Sequence, residues 1–281
     1  MKQLLKQMIA RSGYQVRRAP SAAFPFIRKF KRGDYAFDFW IADEVGKAWY
    51  TQEGLATSPE YPALLSLLEP GDRVLEIGSH HGFFALLMAC AVGPRGYVLG
   101  LEAEPFNAMV AQAEVSLNGL AGVCSIRNLA GGDKPGTVMI SGGRVKTAKS
   151  WESVPVQVET GDRLDRDLGP FTVLKLDVEG YECKVLAGCR QLLARKPKLA
   201  IELHPELMVT FGGTMEEVFR AIEAPSYEGV LIARYDAKYR DPVPFEPSAV
   251  PEGDFNILLR PVFHHRGTET QREPKAEGRK Q

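Results

Sequence analysis

The feature that most constrains the fold is a regular alternation of two kinds of apolar segment, which begins near residue 72. The short segments predict buried strands, and the longer segments between them have the length of helices. Strands that alternate with helices in this way form a parallel sheet with helices on both faces. The first predicted elements are the strands RVLEIG (73–78), GYVLGLE (96–102) and VCSIRNLA (123–130) and the helices GFFALLMACAV (82–92) and EPFNAMVAQAEVSLNGL (104–120).

The alternation resumes after an interruption at residues 131–160. Within it, two strand-like segments with glycines between them predict an inserted hairpin. A Pro-rich connection at residues 241–254 joins the last two predicted strands. The later elements are the strands FTVLKLDVEG (171–180), KLAIELH (198–204), GVLIARY (229–235) and FNILLRP (255–261) and the helices YECKVLAGCRQLLARK (181–196) and TMEEVFRAIEA (214–224).

The helix at 104–120 is predicted to be amphipathic. Pro105 suits its first turn, and Gly119 ends it. Helical spacing places its apolar residues on one face, which we expect to pack on the sheet. These residues are Phe106, Met109, Val110, Ala113 and Leu117.

The chain divides into three predicted parts. Residues 1–69 form a basic N-terminal helix and a lead-in segment, residues 70–262 form the α/β domain, and residues 263–281 form a polar, disordered tail. Within the first part, residues 1–32 predict a short amphipathic helix followed by a basic connection. DYAFDFWIAD (34–43) alternates like a strand, and SPEYPALLSLLEP (58–70) predicts a helix.

The charge of the chain is balanced overall but uneven along its length. It has 35 basic and 35 acidic residues, which gives no argument for nucleic-acid binding, and we expect none. Residues 1–32 contain nine Lys and Arg residues and no acid. Such a run can form a weak contact with an anionic membrane surface, although a solvated terminus is the alternative.

The cysteines indicate a reduced, cytoplasmic protein. None of Cys90, Cys124, Cys183 and Cys189 is spaced as CxxC, and each lies in an apolar segment, as a small buried side chain would. The apolar residues after Met1 are interrupted by lysines and glutamines, so no signal peptide is predicted. No apolar stretch approaches the roughly 20 residues of a membrane span.

A glycine turn after the first predicted strand marks a cofactor site. Gly78 and Gly82 occupy the turn between strand and helix, at the sheet edge where α/β folds bind ligands. Glu102 ends the second strand, at the spacing from which an acid binds ribose hydroxyls. The turn has the form G-x-x-x-G, without the glycine pattern that a pyrophosphate requires. These features favour S-adenosylmethionine over a dinucleotide.

Three further polar residues belong to this region. Glu76 precedes the turn and is predicted to hold the α-amino group of the donor, directly or through water; the alternative is a carboxylate that nearby amides satisfy. His80 and His81 lie inside the turn, where a solvated position is the alternative to a place in the pocket wall.

Taken together, these segments resemble the FkbM family of S-adenosylmethionine-dependent methyltransferases. The resemblance covers about residues 70–205 well and extends loosely to about 262. The segment LKLDVEGYE is the most specific, because a dehydrogenase has no reason to contain it. The segments that carry the resemblance are VLEIGSHHGFFALLMA (74–89), VLGLEAEPFNA (98–108), LNGL (117–120), VLKLDVEGYECKVLAG (173–188) and AIELH (200–204).

The resemblance implies a class I methyltransferase fold, an α/β architecture with a seven-stranded, mostly parallel sheet whose last strand is antiparallel. It places Gly78 and Gly82 in the donor turn, Glu102 on the ribose, and Asp177 and Glu179 in the acidic motif of the family. It also implies O-methylation of a hydroxyl on a sugar, a glycolipid or a natural product, so that the partner is a small-molecule or glycosidic acceptor. Here Glu replaces the usual Asp of the first motif, and SHH replaces a less polar segment.

Candidate catalytic residues cluster at two predicted strand ends. Asp177 and Glu179 follow one strand, and His204 ends the next. An alcohol is a poor nucleophile, so a base or a metal ion should help to remove its proton. We expect Asp177 in the active site, with His204 or an acid beside it as the base and Lys175 orienting an acid. Acids that merely cap a helix are the alternative for Asp177 and Glu179.

Three questions remain open at this level. We expect no metal ion, but a divalent metal bound to Asp177, Glu179 or His204 is an alternative, since carboxylates suit magnesium. An NAD-dependent oxidoreductase and a non-catalytic methyltransferase-fold subunit are alternative functions. The choice of acceptor depends on the loops at residues 33–60 and 236–254, and their sequences do not indicate which acceptor binds.

Overall fold

A computed structural model describes residues 24–32, 34–50, 58–142, 144–145, 153–235 and 238–262. The amphipathic helix predicted within residues 1–23 and the disordered tail predicted at 263–281 lie outside these described residues. The division of the chain into three parts therefore stays a prediction.

Fifteen strands occur in the described ranges, and several of them are only two residues long. They are β1 Phe26–Arg32, β2 Tyr35–Ile41, β3 Arg73–Ile77, β4 Tyr97–Leu101, β5 Cys124–Arg127, β6 Ala130–Gly131, β7 Gly136–Ser141, β8 Arg144–Val145, β9 Val154–Glu159, β10 Val173–Leu176, β11 Lys198–Leu203, β12 Tyr227–Tyr235, β13 Lys238–Tyr239, β14 Val243–Pro244 and β15 Phe255–Pro261.

The α-helices of the same ranges are short, and two single 3-10 turns at Gly93–Arg95 and Ala224–Ser226 accompany them. The helices are α1 Glu44–Tyr50, α2 Glu60–Leu67, α3 Phe83–Val92, α4 Pro105–Leu117, α5 Gly161–Leu168, α6 Glu182–Ala187, α7 Arg190–Ala194, α8 Pro205–Thr210 and α9 Met215–Ala221.

The central sheet has the strand order β5-β4-β3-β10-β11-β15-β12. The first five strands of this order are parallel, and β15 is antiparallel to both of its neighbours. The predicted class I methyltransferase sheet of seven main strands is confirmed. The chain between β12 and β15 adds two short strands, β13 and β14, which both pair with β12.

The predicted hairpin at 131–160 forms a separate small sheet. Strands β7 and β9 are antiparallel, and β6 and β8 extend them on either side. The sequence did not predict α5, which follows this sheet.

An N-terminal hairpin packs against the helices α3 and α4. Strands β1 and β2 pair along their whole length, and their inward aromatic side chains pack on α3. Phe39 is fully buried, and its ring meets the Phe83 ring edge-on at 5.3 Å. The sequence predicted β2, but it was wrong about residues 26–32, which form β1 rather than a basic connection. The reason is that Phe26 and Phe30 lie on the inner face of this strand, whereas Ile27, Lys29 and Lys31 are exposed on its outer face.

Two side chains of α4 attach this hairpin to the domain. The Asn118 amide accepts a hydrogen bond from the Asp38 N–H at 2.9 Å and donates one to the Asp38 carbonyl at 2.8 Å. The Glu114 carboxylate accepts a hydrogen bond from the Trp40 N–H at 2.6 Å. Asn118 and Glu114 thus bind the edge of β2 as a partner strand would.

The predicted apolar face of α4 was partly wrong. Phe106, Met109 and Leu117 are 43%, 57% and 43% exposed, whereas Val110 is buried. The buried face instead contains small and polar side chains, namely Asn107, Ala108, Ala111, Glu114 and Val115. A buried acid such as Glu114 has the sequence pattern of a solvated residue, because the pattern does not show its hydrogen bond to the hairpin.

The helix predicted at 181–196 is divided into α6 and α7. The break lies at Gly188, whose carbonyl accepts a hydrogen bond from the Asp162 N–H at 2.9 Å. The Asp162 carboxylate in turn accepts hydrogen bonds from the N–H groups of Gln191 and Leu192, the first turn of α7. A side chain of α5 therefore caps a new helix where the sequence suggested a continuous one.

Two sequence expectations concern the surroundings of the protein. Among the described residues, no helix combines the length and the apolar character that crossing a bilayer requires. The four cysteines, Cys90, Cys124, Cys183 and Cys189, hold free thiols.

We predict that Glu114→Gln stabilises the protein at alkaline pH. Burial raises the pKa of Glu114 to about 8. The folded state therefore favours the protonated acid, and the contribution of this group to the free energy of unfolding is complete below about pH 4.5 and is lost as the pH rises through 8. The amide keeps an oxygen for the Trp40 N–H and never ionises. We expect the variant to melt a few degrees above wild type near pH 8.5, with the difference vanishing near pH 5. An equal shift at both pH values, measured by calorimetry, would contradict this prediction.

Candidate functional site

A cavity of about 650 Å³ opens at the carboxyl edge of the central sheet. Five of the predicted site residues lie on its wall, Glu179 among them, and the other four each come directly after one of four adjacent parallel strands. Gly78 follows β3, Glu102 follows β4, Asp177 follows β10 and His204 follows β11. This is the edge at which open α/β sheets bind their ligands, so the strand topology itself assembles the site.

Gly78 is required by a close approach between two strand ends. Its φ is +96°, and a Cβ built there would lie 1.8 Å from the carbonyl oxygen of Asp177. Any larger residue would push β3 and β10 apart. Gly82 also has a positive φ and begins α3, but it lies against Ala111 of α4 rather than on the cavity wall.

Glu102 presents a fixed carboxylate to the cavity. Its two oxygens accept hydrogen bonds from the N–H groups of His80 and Glu104, both at 2.7 Å. The side chain is 6% exposed, and burial raises its pKa to about 7, against the opposing effect of these two hydrogen bonds. A carboxylate has about four acceptor positions, so it can still accept hydrogen bonds from a ligand.

Glu76 and Lys175 lie behind the turn and not on the cavity wall. They form a buried ion pair between neighbouring strands, with 3.6 Å between the Lys175 Nζ and the Glu76 Oε1. The Lys175 ammonium also lies 4.6 Å from the centre of the Phe84 ring. Burial by itself lowers the pKa of Lys175, but the charges of Glu76 and Asp177 raise it overall. Lys175 therefore stays charged and neutralises Glu76.

The two histidines of the turn have different surroundings. His80 has a φ of 49° and lines the cavity, where its Nδ1 lies 2.7 Å from the Tyr50 hydroxyl. Burial, together with the nearby His81, lowers the pKa of His80 to about 3, so its ring is neutral. His81 is fully buried and lies 3.1 Å from the Asn107 side-chain oxygen.

Asp177, Glu179 and His204 come together at the other end of the cavity. One ligand atom from each lies within 4.8 Å of the others. Glu179 has a φ of 52°, and its carboxylate binds the Arg144 guanidinium at 2.7 Å. The structure therefore brings these three predicted residues into one cluster and leaves Lys175 outside it.

His204 is held by a ring of carboxylates. Its Nδ1 lies 2.8 Å from the Glu182 Oε1, and its Nε2 lies 3.8 Å from Glu202 and 4.0 Å from Glu179. Burial lowers the pKa of His204, but the hydrogen bond to Glu182 and the charge of Glu202 raise it to about 9 overall. Its ring thus carries a proton on both nitrogens at neutral pH.

Several residues of this site were not assigned a role from the sequence. Glu182 is completely buried at the start of α6, and its sequence pattern does not distinguish it from a solvated acid at a helix start. Glu202 binds the Arg234 guanidinium at 3.0 Å, and that guanidinium lies 5.7 Å from the centre of the Trp49 ring. Trp49 belongs to α1, a helix that the sequence did not predict, and no local signal linked it to β12.

The family assignment agrees with this geometry. The sequence model of the methyltransferase FkbM domain matches residues 76–228, which is more than half of the chain. The chain belongs to the FkbM methyltransferase family. This FkbM protein is an S-adenosylmethionine-dependent methyltransferase, as the resemblance in sequence implied. No curated protein sequence matches it significantly.

Solved structures similar to the FkbM protein are distant. Fibrillarin from Aeropyrum pernix, bound to S-adenosylmethionine, is 14% identical with a TM-score of 0.45, covering 86% of this chain and 84% of its own. An O-methyltransferase from Bacillus cereus is 14% identical with a TM-score of 0.43, covering 77% and 89%. TomG of Streptomyces achromogenes, an O-methyltransferase involved in tomaymycin synthesis, is 14% identical with a TM-score of 0.41, covering 72% and 79%.

The cavity of the FkbM protein fits its methyl donor. Because residue 78 has no side chain, the turn backbone is bare along the cavity wall. Glu102 offers a buried carboxylate to the same cavity. A carboxylate in this position suits the hydroxyl groups of a ribose. Gly78 and Glu102 would therefore hold the nucleoside part of the donor.

We predict that Glu102→Ala lowers the affinity for S-adenosylhomocysteine by about 1–3 kcal/mol, the cost of leaving ribose hydroxyls without their partner. Calorimetric titration measures this loss, and Glu216→Ala, which removes an exposed acid of α9, is the matched control. Equal affinities of wild type and Glu102→Ala would remove Glu102 from the donor site.

The affinity of wild type should also depend on pH. An ionised carboxylate accepts hydrogen bonds more strongly than a protonated one. Because the pKa of Glu102 is raised to about 7, we expect S-adenosylhomocysteine to bind more tightly as the pH rises from about 6 to about 8. Glu102→Gln cannot ionise, so its titrations should lack this rise; a rise of equal size in the variant would assign it to another group.

Proposed function

We propose that this FkbM methyltransferase transfers its methyl group to a hydroxyl of a sugar, a glycolipid or a natural product. The observation that carries the proposal is the cluster of Asp177, Glu179 and His204, which lies in the same cavity as Gly78 and Glu102. Carboxylates accept hydrogen bonds from hydroxyl groups, and a hydroxyl needs help in losing its proton before it can act as a nucleophile.

S-adenosylmethionine, when bound, supplies an electrophilic methyl group on a sulfonium sulfur. The residues of the chain then have two tasks. Asp177, at the end of β10 and in backbone contact with Gly78, orients the acceptor hydroxyl toward the donor end of the cavity. Orientation of this kind contributes several kcal/mol to lowering the barrier.

The proton of the hydroxyl is proposed to pass to a carboxylate beside His204. His204 itself is a poor acceptor, because its pKa of about 9 leaves both ring nitrogens protonated at neutral pH. Burial and the charge of Asp177 raise the pKa of Glu202 well above its ordinary range, which suits a carboxylate that must take up a proton. Glu202 therefore joins Glu179 as a candidate base, and the His204 imidazolium stabilises the negative charge around both.

Other residues that line the cavity support a polar ring as the acceptor. They are Asp43, Glu60 and Arg144, together with Trp49, which is 48% exposed. Carboxylates and a guanidinium can hydrogen-bond to several hydroxyl groups, and an exposed indole offers a flat apolar surface with a polar edge. This combination favours a polyhydroxylated acceptor over an apolar one.

The family assignment removes an NAD-dependent oxidoreductase as the alternative function. A screen with labelled S-adenosylmethionine against sugar nucleotides, glycosides, glycolipids and polyketides tests the proposal, with the product mass showing where the methyl group is attached. Methylation of an amine or a carbon in preference to a hydroxyl would overturn it. Turnover with none of these acceptors would favour a non-catalytic binding subunit. We also expect a cytoplasmic location, which fractionation of the native host would test.

We predict that Asp177→Asn lowers turnover by about 10²–10⁴ while donor affinity and melting temperature stay near wild type. The substitution removes a charge and changes little volume, so the fold and the Gly78 contact should survive. His204→Gln should lose less activity, because Glu202 or Glu179 accepts the proton.

Turnover, donor affinity and melting temperature should be measured on the same preparations. A purely structural Asp177 would give the opposite pattern, with a lower melting temperature and near-normal turnover per folded molecule. Near-normal turnover in both variants would remove Asp177 and His204 from the chemistry, although the methyl transfer itself could still depend on positioning.

We also predict that the basic segment 1–32 makes a weak contact with anionic membranes, chiefly through residues 1–23, because residues 26–32 form β1. The motive is the acid-free, basic composition of residues 1–23 with Leu4, Leu5, Met8 and Ile9 at helical spacing. Removing these residues leaves the β1–β2 hairpin whole, so turnover of a soluble acceptor should be unchanged. Binding to phosphatidylserine vesicles at low salt should be lost, and full-length protein that does not bind such vesicles would refute the idea.

A further inference from the structure

The cluster at the acceptor end of the cavity has the geometry of a metal site. Two carboxylates and one imidazole converge there, with ligand atoms within 4.8 Å of one another. We propose that Asp177, Glu179 and His204 bind one divalent cation, Mg²⁺ or Mn²⁺. The role of the ion rests on the proposed function, but its binding does not. This proposal differs from the sequence-based expectation of a site without metal.

The surroundings of His204 are the first argument. A metal-binding histidine usually donates its other ring N–H to a carboxylate, which fixes the tautomer and the direction of the ring. The His204 Nδ1 lies 2.8 Å from the Glu182 Oε1, and that oxygen also accepts a hydrogen bond from the Gly180 N–H at 3.0 Å. Glu182 is completely buried. Its carboxylate therefore holds the ring so that Nε2 points toward Asp177 and Glu179.

The free side of His204 is the second argument. The residue is 3% exposed and lies on the cavity wall, yet Nε2 has no partner within hydrogen-bonding distance in the described part of the chain. Its nearest acids are Glu202 at 3.8 Å and Glu179 at 4.0 Å. These separations are too long for a hydrogen bond but leave room for an ion between the groups.

The backbone between Asp177 and the helix α6 supplies the third argument. Glu179 and Gly180 both have positive φ, at 52° and 95°. A Cβ at Gly180 would lie 2.7 Å from the backbone of Leu207, so this tight turn is fixed against α8. Such a conformation is costly for a glutamate and is maintained by the surrounding structure. This turn places the Glu179 carboxylate close to Asp177 at the end of β10.

The chemistry of the ligands points to a hard cation. Carboxylate oxygens suit Mg²⁺ and Mn²⁺, and Mg²⁺ is commonly bound by one or two protein carboxylates with the other positions open to water or substrate. No cysteine thiol lines the described cavity wall, so a soft metal has no preferred ligand there. An acceptor hydroxyl that occupied an open position would have a lower pKa and would lose its proton more easily to Glu202.

The alternative is a closed network of ion pairs. Arg144 already binds Glu179 at 2.7 Å, and Arg234 binds Glu202 at 3.0 Å. In that network His204 keeps the Nε2 proton, which a bound ion would have to displace, and the charges balance without any metal ion. The two states are distinguished by direct measurement of metal binding.

The test is titration of the full-length protein with MnCl₂, followed by calorimetry and by the electron paramagnetic resonance signal of free Mn²⁺. Wild type should bind one ion, and MgCl₂ should compete with it. Asp177→Asn and His204→Ala should each weaken binding at least 10-fold. Glu182→Gln keeps all three ligands and should still weaken binding by about 10- to 100-fold, because it releases the ring of His204.

Glu206→Gln is the matched control. It removes an exposed carboxylate of α8, two residues from His204, and should leave Mn²⁺ affinity unchanged. Melting temperatures show whether each variant is folded, and the Glu182 and Asp177 variants provide independent tests if His204→Ala is not. Absence of Mn²⁺ and Mg²⁺ binding in wild type would overturn the proposal, as would equal binding in folded Asp177→Asn and Glu182→Gln.

Methyl-transfer assays separate this proposal from the proposed function. Turnover that is unaffected by EDTA, in a protein that binds no Mn²⁺, would overturn the metal site and leave O-methylation intact. Specific Mn²⁺ binding that the variants abolish, in a protein that methylates no hydroxyl, would support the metal site and overturn the acceptor assignment.

Discussion

The contact between Gly78 and the Asp177 carbonyl is the constraint on which the site depends. The turn after β3 can lie this close to the end of β10 only because residue 78 has no Cβ. The contact brings the donor turn and the first catalytic candidate to neighbouring positions on one edge of the sheet. Since the site residues follow four adjacent strands, an error in the spacing of β3 and β10 would move both halves of the cavity at once.

Buried charges around this contact are arranged in layers. Behind the turn, Lys175 neutralises Glu76 inside the sheet, where neither reaches the cavity. At the acceptor end, the Arg144 and Arg234 guanidinium groups each bind one carboxylate of the cluster. Ions that are removed from water are tolerated only when they are paired, so this arrangement keeps several acids in one cavity. Lys175, a catalytic candidate that was expected to orient an acid, is the charge partner of Glu76 in this arrangement.

Much of the site could be predicted from the sequence, because four of its residues directly follow recognisable apolar strands. Glu182 could not, since a polar residue inside a helix has the same pattern whether it faces water or holds a buried histidine. Trp49 and Tyr50 lie in a short helix whose contacts depend on residues far along the chain. The same limit applies to α4, where hydrogen bonds to the hairpin decide which face is buried. The apolar segments located the buried strands, but local periodicity neither reported polar burial nor identified the buried face of α4.

The position of α1 has a consequence for how substrate choice can diverge. The match to the family begins at residue 76, whereas α1 lies at residues 44–50 and supplies Trp49 and Tyr50 to the cavity wall. The residues at the strand ends, namely Gly78, Glu102, Asp177 and His204, all lie inside the matched region. Under the proposed function, Trp49 would contact the acceptor from outside that region, whereas Arg144 and the acidic cluster lie within it. Substitutions at Trp49 would then change the choice of acceptor while Gly78 and Glu102 stay the same.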